Sequence, residues 1–131
     1  MTIKVIQKPW GHEEIWAHTD QYVGKLLFIR KNCRLSLQHH QVKEEHMRLQ
    51  TGEVIVFLEN ENGKLEEHHL FPKDAIHIPP NRKHRVLAIE DSEIIEVSTT
   101  EIDDIIRHDD DYGRVSTLDK AKENGHDDPK P

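Results

Sequence analysis

Residues Arg34–Gly52 read RLSLQHHQVKEEHMRLQTG, and within nine of them stand Gln38, His39, His40, Glu44, Glu45 and His46. These side chain types bind divalent cations through imidazole nitrogen and carboxylate or carboxamide oxygen. The flanks, Arg34–His40 and Glu45–Leu49, read as strands. A chain that is already 33% charged has no stability reason to crowd such ligands onto adjacent strands. The stretch predicts a mononuclear metal site inside a small β-barrel, with one more ligand arriving from downstream. If Gln38 and His40 point inward, Ser36 does too, while Leu35, Leu37 and His39 face the other way. His46 follows Glu45 and therefore faces away from it.

Working outward, Tyr22–Arg30 is a strand whose alternation separates Lys25, Leu27 and Ile29 from Leu26, Phe28 and Arg30. Lys31-Asn32-Cys33 is a turn. Upstream of it, KPWGHEEIWA (residues 8–17) reads as an entry strand or arm packing over a barrel. Downstream, the Thr51-Gly52 turn leads into Val54–Leu58, a β-branched run suited to a sheet buried on both faces. Asn62-Gly63 marks a hairpin returning as Leu65–Phe71. Ala75–Ile78, His84–Ile89 and Glu93–Thr99 complete the strands, and Glu101–Arg107 is expected to form one helical turn. Short strands punctuated by turns, with no convincing amphipathic helix, predict an all-β sandwich or barrel. Residues 1–114 form the single domain; 115–131, polar and ending GHDDPKP, predict a disordered tail.

A chain of 131 residues buries a core without staples. The single cysteine, Cys33, excludes a disulfide framework and a cysteine-based zinc site, and suits a reducing cytosol. No apolar run approaches a membrane span, and MTIKVIQKPW lacks the apolar core of a signal peptide, so a soluble, cytoplasmic protein is expected. The net charge of −7 is uneven: residues 1–100 hold 13 Lys+Arg against 15 Asp+Glu, and residues 101–131 hold 5 against 10. Neither part carries the basic footprint of a nucleic-acid binder. A nearly balanced body can still hold a local Lys/Arg pocket for a small phosphorylated ligand.

The order Gln38-x-His40, then Glu45, then Gly52, followed by Pro79-x-Asn81-x-x-His84, resembles the two motifs of the cupin superfamily. Flanking blocks narrow the likeness: KPWGHEEIWA at 8–17, YVGK at 22–25, RLSLQHH at 34–40, HIPPNRKHR at 77–85, IIEVST at 94–99 and DDYGR at 110–114. Together they resemble short stand-alone cupins related to the isomerase domain of type II mannose-6-phosphate isomerases. The resemblance implies a double-stranded β-helix, or jelly-roll barrel, with an N-terminal arm and a short C-terminal tail. It maps the ligands of one divalent ion (Zn, Mn, Fe, Co or Ni) onto Gln38, His40, Glu45 and His84. The common cupin pattern has a second histidine where this chain has Val42, which cannot ligate. That departure favours the Gln-x-His version of phosphomannose isomerases over three-histidine dioxygenases. Glycines of the family's motif turns are replaced here by Asn32, Lys73 and Asn81; asparagine tolerates left-handed backbone, and Lys73 is the one without a local reason.

The implied activity is isomerisation of a sugar phosphate of the mannose-6-phosphate/fructose-6-phosphate kind by a homodimer, with the arm around Trp10 and Trp16 as its packing element. Glu96, inside the apolar run IIEVS, needs a partner or a task and is a candidate acid/base. His77, between Ile76 and Ile78, is a second candidate at the cavity mouth. Arg114, in the DDYGR block with Tyr112, and Lys25 are candidates to hold phosphate. Other cupin classes stay open: a sugar- or nucleotide-sugar-binding cupin of a polysaccharide pathway, non-catalytic or epimerase-like, and an Fe(II) dioxygenase. Metal analysis, deuterium exchange into a sugar phosphate and oxygen uptake separate the three.

Overall fold

The computed structural model describes residues 3–114, and the expected tail at 115–131 lies outside them. Eleven strands and no helix are found among the described residues. They are β1 (Lys4–Lys8), β2 (Gly11–His18), β3 (Val23–Ile29), β4 (Leu37–His39), β5 (Glu45–Thr51), β6 (Val54–Glu59), β7 (Leu65–Leu70), β8 (Ala75–Ile78), β9 (His84–Ala88), β10 (Ser92–Ser98) and β11 (Ile106–Asp109). One sheet has the order β1-β2-β3-β10-β5-β8 and the other β11-β4-β9-β6-β7. Neighbouring strands pair antiparallel throughout. This is a jelly roll, the form the resemblance implies within the all-β sandwich or barrel that the strand rhythm predicts.

Alternation explains how each strand divides between core and surface. On β3, Val23, Lys25, Leu27 and Ile29 are buried, and on β5 Glu45, Met47 and Leu49. Ile29, Leu49, Val54, Val56, Ile78, Val86 and Ile94 are fully enclosed and fill the space between the sheets. Cutting Ile29, Leu49, Ile78 or Ile94 to alanine would cost about 2–5 kcal/mol. The run Val54–Leu58 proves buried on one face only, since Ile55 and Phe57 stay half-exposed. Trp10 joins the core, whereas Trp16 is 41% exposed and lies against Gly24 on the outer face of the six-stranded sheet. The two tryptophans of the N-terminal arm thus have different tasks.

Two sequence expectations need correction. Residues Glu101–Arg107 form no helix: a turn at Ile102-Asp103 leads into β11, which pairs with β4. Arg34–His40 is a regular strand only over Leu37–His39, with an isolated bridge from Arg34 to Leu87, and Leu35 is buried with Ser36.

The replaced glycines mark turns that need left-handed backbone. Asn32, Lys73 and Asn81 have φ of 67°, 83° and 63°. Lys73 follows Pro72 in a turn closed by the Asp74 N–H donating to the Phe71 carbonyl at 2.9 Å, with the Lys73 N–H donating to Leu49 O. The turn, rather than the side chain, dictates the conformation. A left-handed non-glycine residue costs about 1–2 kcal/mol, part of which glycine returns as unfolded-state entropy. Lys73→Gly is therefore expected to stabilise the fold by about 0.5–1 kcal/mol in urea unfolding. Gly52 has no such latitude. Its φ is 92°, and a Cβ there would stand 2.3 Å from Ser92 Oγ, which accepts the Glu53 N–H.

Candidate metal centre and cavity

β4 and β9 pair with Gln38 opposite His84, and the chain leaves β4 through His40 before crossing to the six-stranded sheet at Glu45, the start of β5. Alternation ends in the Gln41–Glu44 loop, so that Lys43 and Glu45 are both buried while Val42 is 64% exposed. The valine in place of a histidine therefore points away from the cavity.

His40, Glu45 and His84 bring one donor atom each to within 4.8 Å of one another, all three residues buried. His40 Nδ1 donates to the Asp104 carbonyl at 2.6 Å, and His84 Nδ1 donates to the Arg82 carbonyl at 3.0 Å. A carbonyl can only accept, so both rings carry the proton on Nδ1 and turn the Nε2 lone pair inward. These Nε2 atoms lie 3.4 and 3.3 Å from Glu45 Oε1. They and both Glu45 oxygens are buried without a well-formed hydrogen bond, Oε2 having only the Lys43 ammonium beside it at 3.2 Å. Two donors about 2.1 Å from one ion are roughly 3.4 Å apart at a tetrahedral angle, so the spacing suits a divalent cation. Gln38 lines the same cavity, with Oε1 accepting from Ser36 Oγ at 2.9 Å and a second lone pair remaining.

Burial opposes ionisation of Glu45, yet the His40 and His84 rings and the Lys43 ammonium hold its pKa well below the ordinary value. Lys43 Nζ lies 3.2 Å from Glu45 Oε2 and 3.3 Å from Glu96 Oε2. Burial disfavours its charge, but Glu96 and Glu45 outweigh that and raise its pKa. Glu96 is pushed up to about 7, by burial first and by the Glu45 carboxylate second, against the pull of Lys43 and Lys25. The apolar run around Glu96 thus encloses a carboxyl with both a partner and access to the cavity.

The cavity has a volume of about 230 Å³. Besides these groups, Lys8, Lys25, Arg107 and Arg114 face it, with Glu13 and Asp103 offsetting part of their charge. Burial, together with repulsion from Arg107, Arg114 and Lys25, lowers the pKa of Lys8 despite the nearby Glu13. A dianionic group placed there would meet an excess of donors. Lys25 Nζ is 2.8 Å from Glu13 Oε1. Arg114 gives Nε and Nη2 to Asp110, each at 3.0 Å, which leaves its remaining N–H donors. Tyr112 does not line the cavity: it is buried in the core, with the Arg114 guanidinium 5.6 Å from its ring centre. The expected direct role toward substrate has no position in the cavity behind it. His77 is also displaced. It is exposed on the outer face, 2.5 Å from Glu44 Oε2 and stacked on His46. Ile78 on the same strand is fully buried, so alternation sends His77 outward. His39 stacks on His108, likewise away from the cavity.

Sequence reasoning missed Lys43, Lys8, Arg107 and Asp104. The Asp104 carboxylate accepts the backbone N–H groups of Gln41 (3.0 Å), Val42 (2.7 Å) and Lys43 (2.9 Å), while its carbonyl holds His40. Burial opposes its ionisation, but these N–H groups prevail and lower its pKa. One residue thereby fixes the loop between two candidate ligands. Asp104→Ala is expected to weaken divalent-ion affinity by roughly 10–100-fold, measured by competition with a chromogenic chelator, since groups that orient ligands carry effects of that size.

The family described as Mannose-6-phosphate isomerase C-terminal matches residues 2–110. Mannose-1-phosphate guanylyltransferase ManC of Salmonella typhimurium is 27% identical over 115 residues, covering 84% of this chain. The chain spans only 23% of that relative's length. Among solved structures, KdgF from Halomonas sp. superposes with a TM-score of 0.65 at 22% identity, covering 79% of this chain and 91% of that one. Oxalate decarboxylase from Bacillus subtilis gives 0.72 at 13% identity, covering 80% and 30%. The capsular polysaccharide assembling protein CapF from Staphylococcus aureus gives 0.65 at 13% identity, covering 76% and 28%. These similarities establish the cupin fold. Another study of the B. subtilis decarboxylase names Mn(II) centres in that protein.

Proposed function

The chain belongs to the Mannose-6-phosphate isomerase C-terminal family of cupins, and from that membership and the cavity we propose that it isomerises an aldose phosphate to the ketose phosphate. The substrate class is that of mannose 6-phosphate and fructose 6-phosphate. The observation that carries the proposal is the convergence of His40, Glu45 and His84, the first two at the wall of a cavity that Glu96 and five cationic side chains, Lys8, Lys25, Lys43, Arg107 and Arg114, also line. His40, Glu45 and His84, with Gln38 beside them, would hold one divalent ion, which when bound supplies Lewis-acid polarisation of the sugar's C1 and C2 oxygens. Lys8, Lys25, Arg107 and Arg114 would bind the phosphate and set the register of the sugar along the cavity. Glu96 would take the proton from C2 at a carboxylate oxygen and return it to C1 while the hydroxyl proton of O2 passes to O1. The C1 carbonyl thereby becomes an alcohol and the C2 alcohol a carbonyl, with no net oxidation. Lys43 holds Glu96 in place at 3.3 Å, and Ile102 and Ile105 wall the cavity and limit entry of water.

The test is conversion of mannose 6-phosphate by chain reconstituted in turn with Zn, Mn, Fe(II), Co and Ni. Fructose 6-phosphate should form with at least one ion and cease on chelation. No product with any of the five would sink the isomerase reading. Sugar-phosphate binding without turnover would instead place the chain with the sugar-binding cupins, and oxygen uptake with the dioxygenases.

A further inference from the structure

Three neighbouring strands bring one acid and two bases to the same wall of the cavity. On β2, Gly11, Glu13 and Ile15 are buried, and Lys8 on β1 and Lys25 on β3 flank them. Register sets Lys8 opposite Gly11 and Lys25 opposite Ile15. Each lysine is therefore a diagonal neighbour of Glu13, within reach of a long side chain. Lys25 Nζ lies 2.8 Å from Glu13 Oε1 and Lys8 Nζ 3.8 Å from Glu13 Oε2, one base to each oxygen. The Lys25 and Glu13 side chains are 9% and 10% exposed, so a carboxylate here is costly unless it is paired. Burial opposes its ionisation, but Lys25, Lys8 and Lys43 prevail and lower the Glu13 pKa.

This pairing keeps the lysines available. At 3.8 Å Lys8 is attracted without giving up a hydrogen bond, and Lys25 spends one of its three N–H donors. Gathering several bases around one anion carries a cost, because each disfavours the charge of the others. Burial first, then Arg107, Arg114 and Lys25, push Lys8 toward losing its proton, while Glu13 pulls the other way. The remaining acids on the cavity wall serve other groups: Glu45 and Glu96 pair with Lys43, and Asp110, beside the cavity, takes Arg114. Asp103 also faces the cavity. We propose that Glu13 is a positioning residue of the anion subsite, its carboxylate holding Lys8 beside Lys25 as charged donors that an incoming dianion can use. The proposal rests on the reading that Lys8, Lys25, Arg107 and Arg114 receive the substrate's phosphate. Glu13 acts through the two lysines and leaves the contact with the ligand to them.

Sulfate is the probe, because it stays a dianion across the neutral and alkaline range and only the protein's charges then change with pH. Its affinity for the full chain is measured by NMR titration from about pH 6 to about pH 10, the range in which a depressed lysine titrates. Lys8 is charged below its pKa and neutral above it, so affinity should fall as pH rises. Glu13→Gln removes the pull that opposes burial. It should move that fall down the scale by at least about one pH unit, the size set by a partly screened charge pair at this distance. Below the fall the variant should bind sulfate no more weakly than the wild-type chain, since an opposing charge has left the subsite. Lys8→Arg in the Glu13→Gln background supplies a guanidinium that keeps its proton and should move the fall back up. Glu13→Gln/Lys25→Met removes both partners of the most buried pair, and it carries the same downward move should the single variant fail to fold. A fall at an unchanged pH, with only thermal stability altered, would make Glu13 a structural partner and overturn the proposal. So would a downward move that Lys8→Arg does not reverse, or a wild-type chain that binds no sulfate. Sulfate binding needs no turnover, so a chain that follows these expectations yet leaves mannose 6-phosphate unchanged sinks the isomerase reading alone.

Discussion

Replacing His40 and His84 together with alanine is expected to leave the barrel folded and unable to retain a divalent ion. Elemental analysis of the dialysed protein should fall from one ion per chain to none. Three buried donors converge in the intact chain, and the double variant keeps only the Glu45 carboxylate, already paired with Lys43 at 3.2 Å. Each single substitution should lower affinity by at least about 100-fold, beyond the effect of disturbing a residue that only orients a ligand. The fold should survive because the sheet register and the enclosed apolar residues do not depend on these rings. His40→Ala loses one hydrogen bond to Asp104 O and opens a small cavity, together costing about 1–3 kcal/mol. Unchanged circular dichroism with the metal gone is the expected pair of readings. Stoichiometric metal in the double variant would place the centre elsewhere.

Glu96→Gln carries the second large effect. Glutamine keeps the shape and a carbonyl oxygen for Lys43 but cannot take a proton from carbon. If Glu96 moves the proton, kcat falls by about 10²- to 10⁴-fold, which is about 3–5.5 kcal/mol in the barrier. Metal content should be unchanged, and KM should move little, because Lys8, Lys25, Arg107 and Arg114 still face the phosphate. A kcat reduced by less than about threefold, well below what a general base contributes, would assign the proton transfer to another group. Asp104→Ala offers a contrast. It loosens the Gln41–Lys43 loop, and its loss should be recovered by raising the metal concentration, whereas that of Glu96→Gln should not.

The strands were legible because their residues obey a period of two between recognisable turns. Leu27 and Ile29, Met47 and Leu49, and Val54 and Val56 each announce a buried face. The order of the candidate ligands came from the resemblance to the cupin motifs, and the strands place them accordingly: Gln38, His40 and Glu45 lie on or beside strands, and His84 begins β9. Beyond the strands the period fails. Lys43 became visible only when the loop reversed the parity set by Gln38 and His40, turning Val42 out and Lys43 in. Asp104 acts on backbone N–H groups some sixty positions earlier in the chain, a link that no local pattern records. The helical turn expected over Glu101–Arg107 gives way to a turn and a strand, imposed by pairing with β4 and by the Asp104 contacts. His77 is a different case, because two flanking isoleucines already implied a core face on the opposite side. Lys73 stands where the turn demands positive φ whatever residue fills it.

Proton transfer at carbon is the central claim, and deuterium incorporation tests it most directly. The metal-loaded chain should be incubated with mannose 6-phosphate in D₂O and the sugar followed by proton NMR. The account predicts loss of the C2 proton signal from recovered mannose 6-phosphate, or deuterium at C1 of the fructose 6-phosphate formed, and neither with Glu96→Gln. Full retention of the C2 proton, together with fructose 6-phosphate lacking deuterium after prolonged incubation with loaded enzyme, would contradict transfer through a solvent-exchanging carboxyl. Retention with no product at all would contradict isomerisation itself.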